Sequence, residues 1–362
     1  MKTDEFYMKE VLKLAKKGLP KTFPNPLVGA LIVKKGKIIS KGYHKEFGSF
    51  HAESEAIRAS KQNLKGAVLY VNLEPCVHFG KTPPCTDLII TAGIKKVIIA
   101  HKDPNPLVNG KGIRILREKG IEVKTGVLAS EAKFLNEVYL KFKKENLPFV
   151  TLKIAQTLDG KIATLKGDSK WITSQKAREY NKKMRANFQA ILVGINTILK
   201  DNPYLEAKGK YSPIKIVLDS YLRIPLNANI FKKGKVLIFC SKKNYDKDKF
   251  RLLKNKCEII LVKEKEGKLN LNQILKILAE RGIISIMVEG GSKIFTSFLE
   301  EGLADKLLIY IAPKIFGGRG LLSFEGKDIQ RIKNAKVLKY VRFKRVGEDF
   351  LITGYLNTSF LE

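Results

Sequence analysis

The stretch "FHAESEAIR" (residues 50–58), read together with "NLEPCVHFGKTPPCTDL" (residues 72–88), decides how the first third of this chain folds. His51-Ala52-Glu53 stands at the start of a helical run, and alone it does not separate a metal ligand from a polar helix start. The second stretch supplies the context. Strand-like "AVLYVNL" ends at Pro75-Cys76, and eight residues separate Cys76 from Cys85, which opens the helical "CTDLIITAG". One histidine and two cysteines give a tetrahedral zinc three protein ligands and leave one position open, the catalytic rather than the structural pattern. A cysteine at a helix N-terminus ionises easily, because the dipole and unpaired N–H groups favour thiolate.

Working outward, the 362 residues exceed the usual size of one domain, so two are expected. A hydrophobic share of 44% supplies two ordinary cores. No apolar run reaches the ~18 residues that a membrane-spanning helix needs. The N-terminal "MKTDEFYMKEVLKLAKKGLP" reads as a charged amphipathic helix rather than a secretory signal, and a cytoplasmic location is expected. Four cysteines in this length do not make a disulfide framework. Cys240 and Cys257 fall in apolar strand-like runs and are expected to be buried and inert.

The net charge of +33 raises the question of nucleic acid. Residues 1–146 carry 27 Lys and Arg against 14 acids and the remainder 41 against 21, so the excess is spread over the chain instead of forming a tail. It suits a lysine-rich surface and anionic small molecules.

The first third alternates strand and helix. Strands are expected at "LVGALIVKKGKIIS", a hairpin turning at Lys35-Gly36, and at "AVLYVNL" and "KKVIIAH"; helices are expected over 4–17, 51–63, 85–92 and about 110–118. A continuous helical stretch, "SEAKFLNEVYLKFKKENLP", leads to Pro148, and the boundary is placed between Lys144 and Phe149. Beyond it strands recur at "FVTLKIAQ", "AILVG", "IKIVLD", "KVLIFC", "CEIILV", "ISIMVEG" and "DKLLIYIAP", with helices over 174–187, 271–281 and 293–301. The end reads as a hairpin turning at Gly347-Glu348. The expectation is an α/β protein of two domains, residues 1–146 and 147–362, the second built on a mostly parallel sheet.

An H-x-E followed by a Pro-Cys pair matches the signature of zinc nucleobase deaminases, in which the glutamate moves protons and does not bind the metal. Zinc lowers the pKa of bound water to about 7, which makes a nucleophile available at neutral pH. Eight residues between the cysteines, instead of the commoner two, together with "FPNPLVGALIV" (23–33) and "HKDPNPLVNGKG" (101–112), resemble the bifunctional riboflavin-biosynthesis family. That family joins a pyrimidine deaminase to a 5-amino-6-(5-phosphoribosylamino)uracil reductase. The resemblance implies a cytidine-deaminase-like α/β/α layered first domain with zinc on His51, Cys76 and Cys85 and Glu53 as proton donor. It also implies a pyrimidine and phosphate pocket lined by Asn25, His44, His78, Lys81, Thr82, Asp103 and Asn105. Lys81 and Thr82 suit a phosphate by charge and hydroxyl donation, whereas Asn25 and Asp103 equally suit simple turn chemistry.

The resemblance continues through "LKIAQTLDGKIA", "GDSKWITS", "MRA", "VGINTILKDNPYL", "VLDSYLRIP" and "VEGGSKIFTSFL". It implies a dihydrofolate-reductase-like second domain taking NADPH on Ala155, Trp171, Thr197, Asp201 and Ser220, and on the loop of Gly291, Ser292, Lys293, Ile294, Phe295, Thr296 and Ser297. The ribosyl-phosphate substrate would lie on Ser169, Arg185, Leu205, Lys208 and Glu289, with Lys153 beside the sugar. Arg185 suits phosphate because its fork binds in two places. At 208 an arginine is expected, and lysine keeps the charge without the fork. Gly290-Gly291 before a helix lets backbone approach a pyrophosphate, while the lack of G-x-G-x-x-G after a strand disfavours a Rossmann fold.

The implied activity is hydrolytic deamination of 2,5-diamino-6-ribosylamino-4(3H)-pyrimidinone 5′-phosphate followed by NADPH reduction of its ribosyl group, in a homo-oligomer with no nucleic-acid or membrane partner. Two rivals are a nucleoside or tRNA deaminase with a basic appended domain, and a zinc-stabilised nucleic-acid-binding protein. The latter would want four protein ligands to its zinc.

Overall fold

Strand and helix alternate in the computed structural model, which describes residues 2–79, 83–209, 211–243, 245–326 and 328–361, and they gather into two units. One comprises Met1–Asn146 with Phe360–Glu362, the other Leu147–Ser359. The last three residues therefore group with the first unit, where Lys133 donates through Nζ to the Leu361 carbonyl.

In the first unit α1 (Asp4–Ala15) is capped by the Thr3 hydroxyl, which accepts from the Phe6 amide, and its end tightens into a 3₁₀ turn instead of continuing to 17. Strands β1 (Gly29–Lys34), β2 (Lys37–Tyr43), β3 (Val68–Leu73), β4 (Lys96–His101) and β5 (Glu122–Thr125) form one sheet in the order β2-β1-β3-β4-β5. The β1 pairings are antiparallel and the β3–β4 and β4–β5 pairings parallel. Helices α2 (Ala52–Arg58), α3 (Cys85–Thr91), α4 (Lys111–Glu118), α5 (Ala129–Leu135) and α6 (Glu137–Glu145) complete the unit. Tyr7, Met8, Val11 and Leu14 of α1 pack on Leu31 and Val33 of β1.

The opposite face of β1 carries Ala30, which pairs with Gly42 of β2. A Cβ at Gly42 would stand 2.4 Å from the Ala52 carbonyl oxygen and 2.5 Å from the Ala56 nitrogen, so α2 lies directly on the strand backbone. Only glycine allows that approach, and it fixes where His51 and Glu53 are presented. The helix expected over 51–63 stops at Arg58, because Ser60 turns its hydroxyl onto the backbone of Gln62 and competes with the helical ladder. The stretch expected as one helix before Pro148 breaks at Asn136, whose buried carboxamide accepts from the Leu27 amide and donates to the Leu27 carbonyl.

The second unit comprises β6 (Phe149–Thr157), β7 (Lys161–Ala163), α7 (Gln175–Arg185), β8 (Ala190–Gly194), α8 (Ile195–Asp201), β9 (Ile214–Leu218), β10 (Val236–Ser241), α9 (Lys247–Leu253) and β11 (Glu258–Val262). A short ribbon, β12 (Glu264–Lys265) with β13 (Lys268–Leu269), precedes α10 (Leu271–Glu280), β14 (Ser285–Val288), α11 (Ser292–Glu300), β15 (Lys306–Ala312), β16 (Leu321–Leu322), β17 (Lys339–Val346) and β18 (Asp349–Tyr355). The main sheet runs β11-β10-β9-β8-β14-β6-β15-β18-β17. It is parallel from β11 to β15 and antiparallel at the β15–β18 and β18–β17 pairings, with apolar clusters on both faces. The ends of β8, β9 and β14 carry the Gly194, Ser220 and Glu289 motifs, at the carboxyl edge where open parallel sheets hold ligands. Cys240 is buried in β10; Cys257 lies just before β11 and is half-buried. Burial pushes their thiols up to about 12 and about 11, so both are inert at neutral pH.

One buried carboxylate organises the loop after β4. Glu74 accepts from the amides of Asp103, Gly110 and Ile113, tying the segment that carries Asp103 and Asn105 to the end of β3. Replacing Glu74 by leucine strands three N–H groups, two of them buried, and should cost at least ~3 kcal/mol of unfolding free energy. Glu74→Gln, which keeps an acceptor, should lose clearly less; equal losses in denaturant melts would show that these bonds do not hold the loop.

Candidate active sites

His51 caps the N-terminus of α2 without using its side chain for the cap, which leaves the imidazole free to turn toward β3. There Nδ1 lies 3.4 Å from Cys76 Sγ and 3.3 Å from Cys85 Sγ, and the three donor atoms all fall within 4.8 Å of one another. Donors on one tetrahedral zinc at ordinary bond lengths stand about 3.5–3.8 Å apart, so one nitrogen and two sulfurs placed this way fit zinc. The Cys85 amide, at the first turn of α3, donates to Cys76 Sγ at 3.4 Å.

The electrostatics suit a cation. Hydrogen bonding from Cys85, helped by His51, draws the Cys76 thiol down to about 4 in spite of its burial. Cys85 is driven the other way by its pairing with Cys76 and by burial, so the two sulfurs divide as thiolate and thiol. Hydrogen bonding to Cys76 also raises His51. Glu53 is 3% exposed, and burial pushes its carboxyl up to about 7 while it reaches Cys85 through a hydrogen bond.

Around this cluster the structure gathers some of the expected pocket residues. His44 stacks edge-on against His51 with ring centroids 5.6 Å apart. Its Nδ1 lies 3.0 Å from the Phe50 carbonyl, which fixes that nitrogen as donor, so Nε2 accepts from Asn25 Nδ2 at 3.2 Å. Asn25 comes just before a segment anchored by Asn72, whose Oδ1 accepts from the Gly29 amide and whose Nδ2 donates to the Leu27 carbonyl. His78 is half-buried, and its Nδ1 has no hydrogen-bond partner among the described residues. Asp103 accepts from the Asn105 amide and the Tyr139 hydroxyl, both at 2.9 Å, and Asn105 accepts from the Leu107 amide. That is turn chemistry, the plainer of its two readings. Lys81 and Thr82 lie outside the described residues.

In the second unit Arg185 is engaged by a carboxylate. Its Nε and Nη2 donate to the two oxygens of Glu289 at 2.6 and 2.9 Å, and Nη1 donates to the Glu206 carbonyl. The fork reserved for phosphate is closed on a carboxylate. Burial pushes the Glu289 carboxyl up, but Arg185 outweighs it and, with Lys153 and Asn181, holds it down at about 2. Asn181 Nδ2 adds bonds to both Glu289 oxygens. Burial lowers Lys153, which sits on β6 with Nζ 5.5 Å from the centre of the Tyr310 ring.

Leu205 is buried, with its backbone in the left-handed region at a φ of 50°. Lys208 is exposed, and its amide donates to the Lys182 carbonyl. Ser169 is half-buried and its carbonyl accepts from the Ile172 amide. Trp171 is 61% exposed, under the Arg178 guanidinium at 4.4 Å, and is no core anchor. Ala155 lies on β6, Thr197 and Asp201 on α8, and Ser220 just beyond β9.

The stretch 291–297 is helix rather than loop. Gly291 caps α11 and would place a Cβ in open space. At Gly194 and Gly290 a Cβ would meet Ile294, at 2.4 and 3.1 Å, so those glycines serve the packing of α11 on the sheet. Phe295 is in the core, Thr296 is buried and accepts from the Glu325 amide, and Ser297 donates to the Lys293 carbonyl. Ser292, one turn-position past the cap, keeps a buried hydroxyl with no partner among the described residues. What the sequence did not single out is Glu74, the Arg185–Glu289 pair as a pair, and Tyr310.

Comparison with known proteins matches residues 1–101 to the cytidine and deoxycytidylate deaminase zinc-binding region and residues 148–352 to the RibD C-terminal domain. The chain is 45% identical to the riboflavin biosynthesis protein RibD of Aquifex aeolicus (strain VF5), with 96% of this chain and 97% of that one covered. It is 43% identical to RibD of Bacillus amyloliquefaciens over 97% and 95% of the two chains. Among solved structures, a diaminohydroxyphosphoribosylaminopyrimidine deaminase/5-amino-6-(5-phosphoribosylamino)uracil reductase from Thermotoga maritima is 40% identical, with a TM-score of 0.85 over 97% and 98% of the chains. Acinetobacter baumannii RibD, form 1, is 34% identical at a TM-score of 0.86 with the same coverage.

Two outcomes follow from this geometry. Purified protein should carry about one zinc per chain, and Cys76→Ala should hold only a small fraction of that by elemental analysis; undiminished zinc in the variant would move the site elsewhere. Glu289→Ala leaves Arg185 buried and unpaired and should cost about 3–5 kcal/mol at pH 7. Because the folded carboxyl titrates near 2 instead of its ordinary 4.5, its stabilisation is complete above about pH 4.5 and fades as the pH falls toward 2. The stability gap between wild type and variant should narrow over that window, and a gap that does not change with pH would sink the assignment.

Proposed function

The chain belongs to the RibD family of riboflavin biosynthesis proteins, and on that premise we propose how its own side chains divide a deamination and a reduction between two sites. It is a bifunctional enzyme, a hydrolytic deaminase and a reductase, acting in riboflavin biosynthesis on 2,5-diamino-6-ribosylamino-4(3H)-pyrimidinone 5′-phosphate and then on its deaminated product. A match of residues 148–352 to the reductase domain disfavours the reading of a tRNA deaminase with a basic appendage.

In the first unit His51, Cys76 and Cys85 would hold zinc, with the buried Glu53 beside them. Zinc, when bound, acidifies water and so supplies the nucleophile. The observation that carries the assignment is the convergence of the three donor atoms within 4.8 Å beside a buried glutamate. Glu53 accepts a proton from the attacking water and returns it to the amine as the C–N bond breaks, so ammonia leaves and a carbonyl remains. His44 and Asn25, linked by their hydrogen bond, orient the pyrimidine edge. Burial of the carboxylate keeps bulk water from competing for its proton.

In the second unit Gly291 and Ser292, at the start of α11 on the carboxyl edge of the sheet, would hold the phosphates of NADPH. When bound, the nicotinamide supplies the hydride. The open space at Gly291 and the unpartnered Ser292 hydroxyl support this placement. Lys153 and the Arg185–Glu289 pair border the ribosyl group, with Arg185 fixing the carboxylate rather than gripping phosphate.

Separate sites predict separable losses. With ammonia and NADPH followed independently, Glu53→Gln should lower ammonia release by at least ~100-fold. Reduction of pre-deaminated substrate should stay at the wild-type rate. Loss of both activities together would overturn the division of labour.

A further inference from the structure

Tyr310 has no part in the chemistry assigned to either site, yet its surroundings are unusual. It is 1% exposed on β15, and its hydroxyl has no hydrogen-bond partner among the described residues. Stranding a hydroxyl away from water costs stability, and a phenylalanine of the same shape would avoid the cost. The neighbouring groups explain what the hydroxyl is for. Tyr310 pairs across the sheet with Ala155 of β6, and Lys153, two residues earlier, stands over its ring. Glu289 and Tyr180 are close enough for their charges to bear on the phenol, which burial raises above its ordinary range.

Neither neighbour takes up the hydroxyl. Glu289 is already bonded by Arg185 and Asn181, and Tyr180 accepts from Lys344 Nζ at 3.2 Å. A second orphan points to the same place. Asn181 is 5% exposed and donates Nδ2 to Glu289, which fixes the orientation of its amide and leaves Oδ1 buried without a partner. One unpaired donor and one unpaired acceptor thus stand among the groups that surround Glu289 and Lys153, a polar corner that a hydroxyl-bearing ligand would complete.

We propose that the Tyr310 hydroxyl is a substrate-contacting group of the reductase site, donating a hydrogen bond to a hydroxyl of the ribosyl chain beside Lys153 and Glu289. The proposal rests on the reductase reading of this unit and deepens it, since it says how the pocket distinguishes a polyol from the rest of the substrate. A buried neutral donor suits that role, because it recognises an uncharged oxygen, where Lys153 alone would favour any anion.

The decisive experiment uses the full chain with NADPH and the deaminated ribosyl-phosphate substrate. Tyr310→Phe should melt at the same temperature as wild type or higher and bind NADPH unchanged. Its kcat/KM for reduction should fall by roughly tenfold, the order of one neutral hydrogen bond. With 2′-deoxy and 3′-deoxy ribosyl analogues, the penalty of Tyr310→Phe should fall below about twofold for the one that lacks the contacted hydroxyl. A kcat/KM within about twofold of wild type on the natural substrate overturns the proposal, as does a penalty that persists with both analogues, since that marks a general disturbance of the pocket. A wild-type chain that oxidises no NADPH with this substrate would instead overturn the reductase reading itself.

Discussion

The first unit depends on three donor atoms from three separate elements being held close enough to share one cation. His51 comes from the residue before α2, Cys76 from the turn after β3 and Cys85 from the first turn of α3. None of these side chains is placed by its own neighbours in sequence. α2 is pressed onto β2 at Gly42, β3 is locked between β1 and β4, and the Cys85 amide reaches back to Cys76. Two sulfurs and an imbalance of protons between them would be costly in a core that offered no cation. The packing thus makes sense as a framework whose polar centre is matched to a metal, with Glu53 buried beside it.

The second unit solves a different problem with the opposite sign. Its sheet edge must tolerate a buried anion, Glu289, and does so with a bidentate Arg185 and an amide from Asn181 on α7. An ion pair of this kind adds little net stability, because desolvation consumes most of the Coulombic gain. What it does secure is geometry: the carboxylate cannot rotate, and Lys153 and Tyr310 are arranged around a fixed charge.

Much of this was legible in the sequence, and the exceptions have physical causes. The strands "VLYVNL" and "KVIIA" announced themselves as continuous apolar runs, and both are buried on two faces. The Cys76–Cys85 interval announced the metal, because ligand type and count constrain chemistry more tightly than propensity constrains shape. By contrast β5 has no apolar run to read, and α8 and α9 are each seven residues long, too short to show a helical period. The break at Asn136 was invisible because its cause is a tertiary bond to Leu27, more than a hundred positions away. Arg185 shows the same limit at the level of a site. Its residue type fits phosphate and carboxylate equally well, and only the fold brings Glu289 to it.

The net charge of +33 illustrates how little a global number says about a site. Most of the lysines lie on exposed or half-buried positions, where water and salt screen them, and they bear on solubility and on the approach of anions rather than on chemistry. Three cations set apart from that surface do different work. Lys215 is 2% exposed and donates to the carbonyls of Ile230 and Lys233, which makes it a structural clamp on a 3₁₀ turn. Arg185 fixes Glu289. Lys153 faces the Tyr310 ring at the corner where that pair ends, and burial lowers its amine. The same residue type is solvated in one place, spent on backbone in another and set over an aromatic ring in a third. Burial and partner, not the charge itself, decide which.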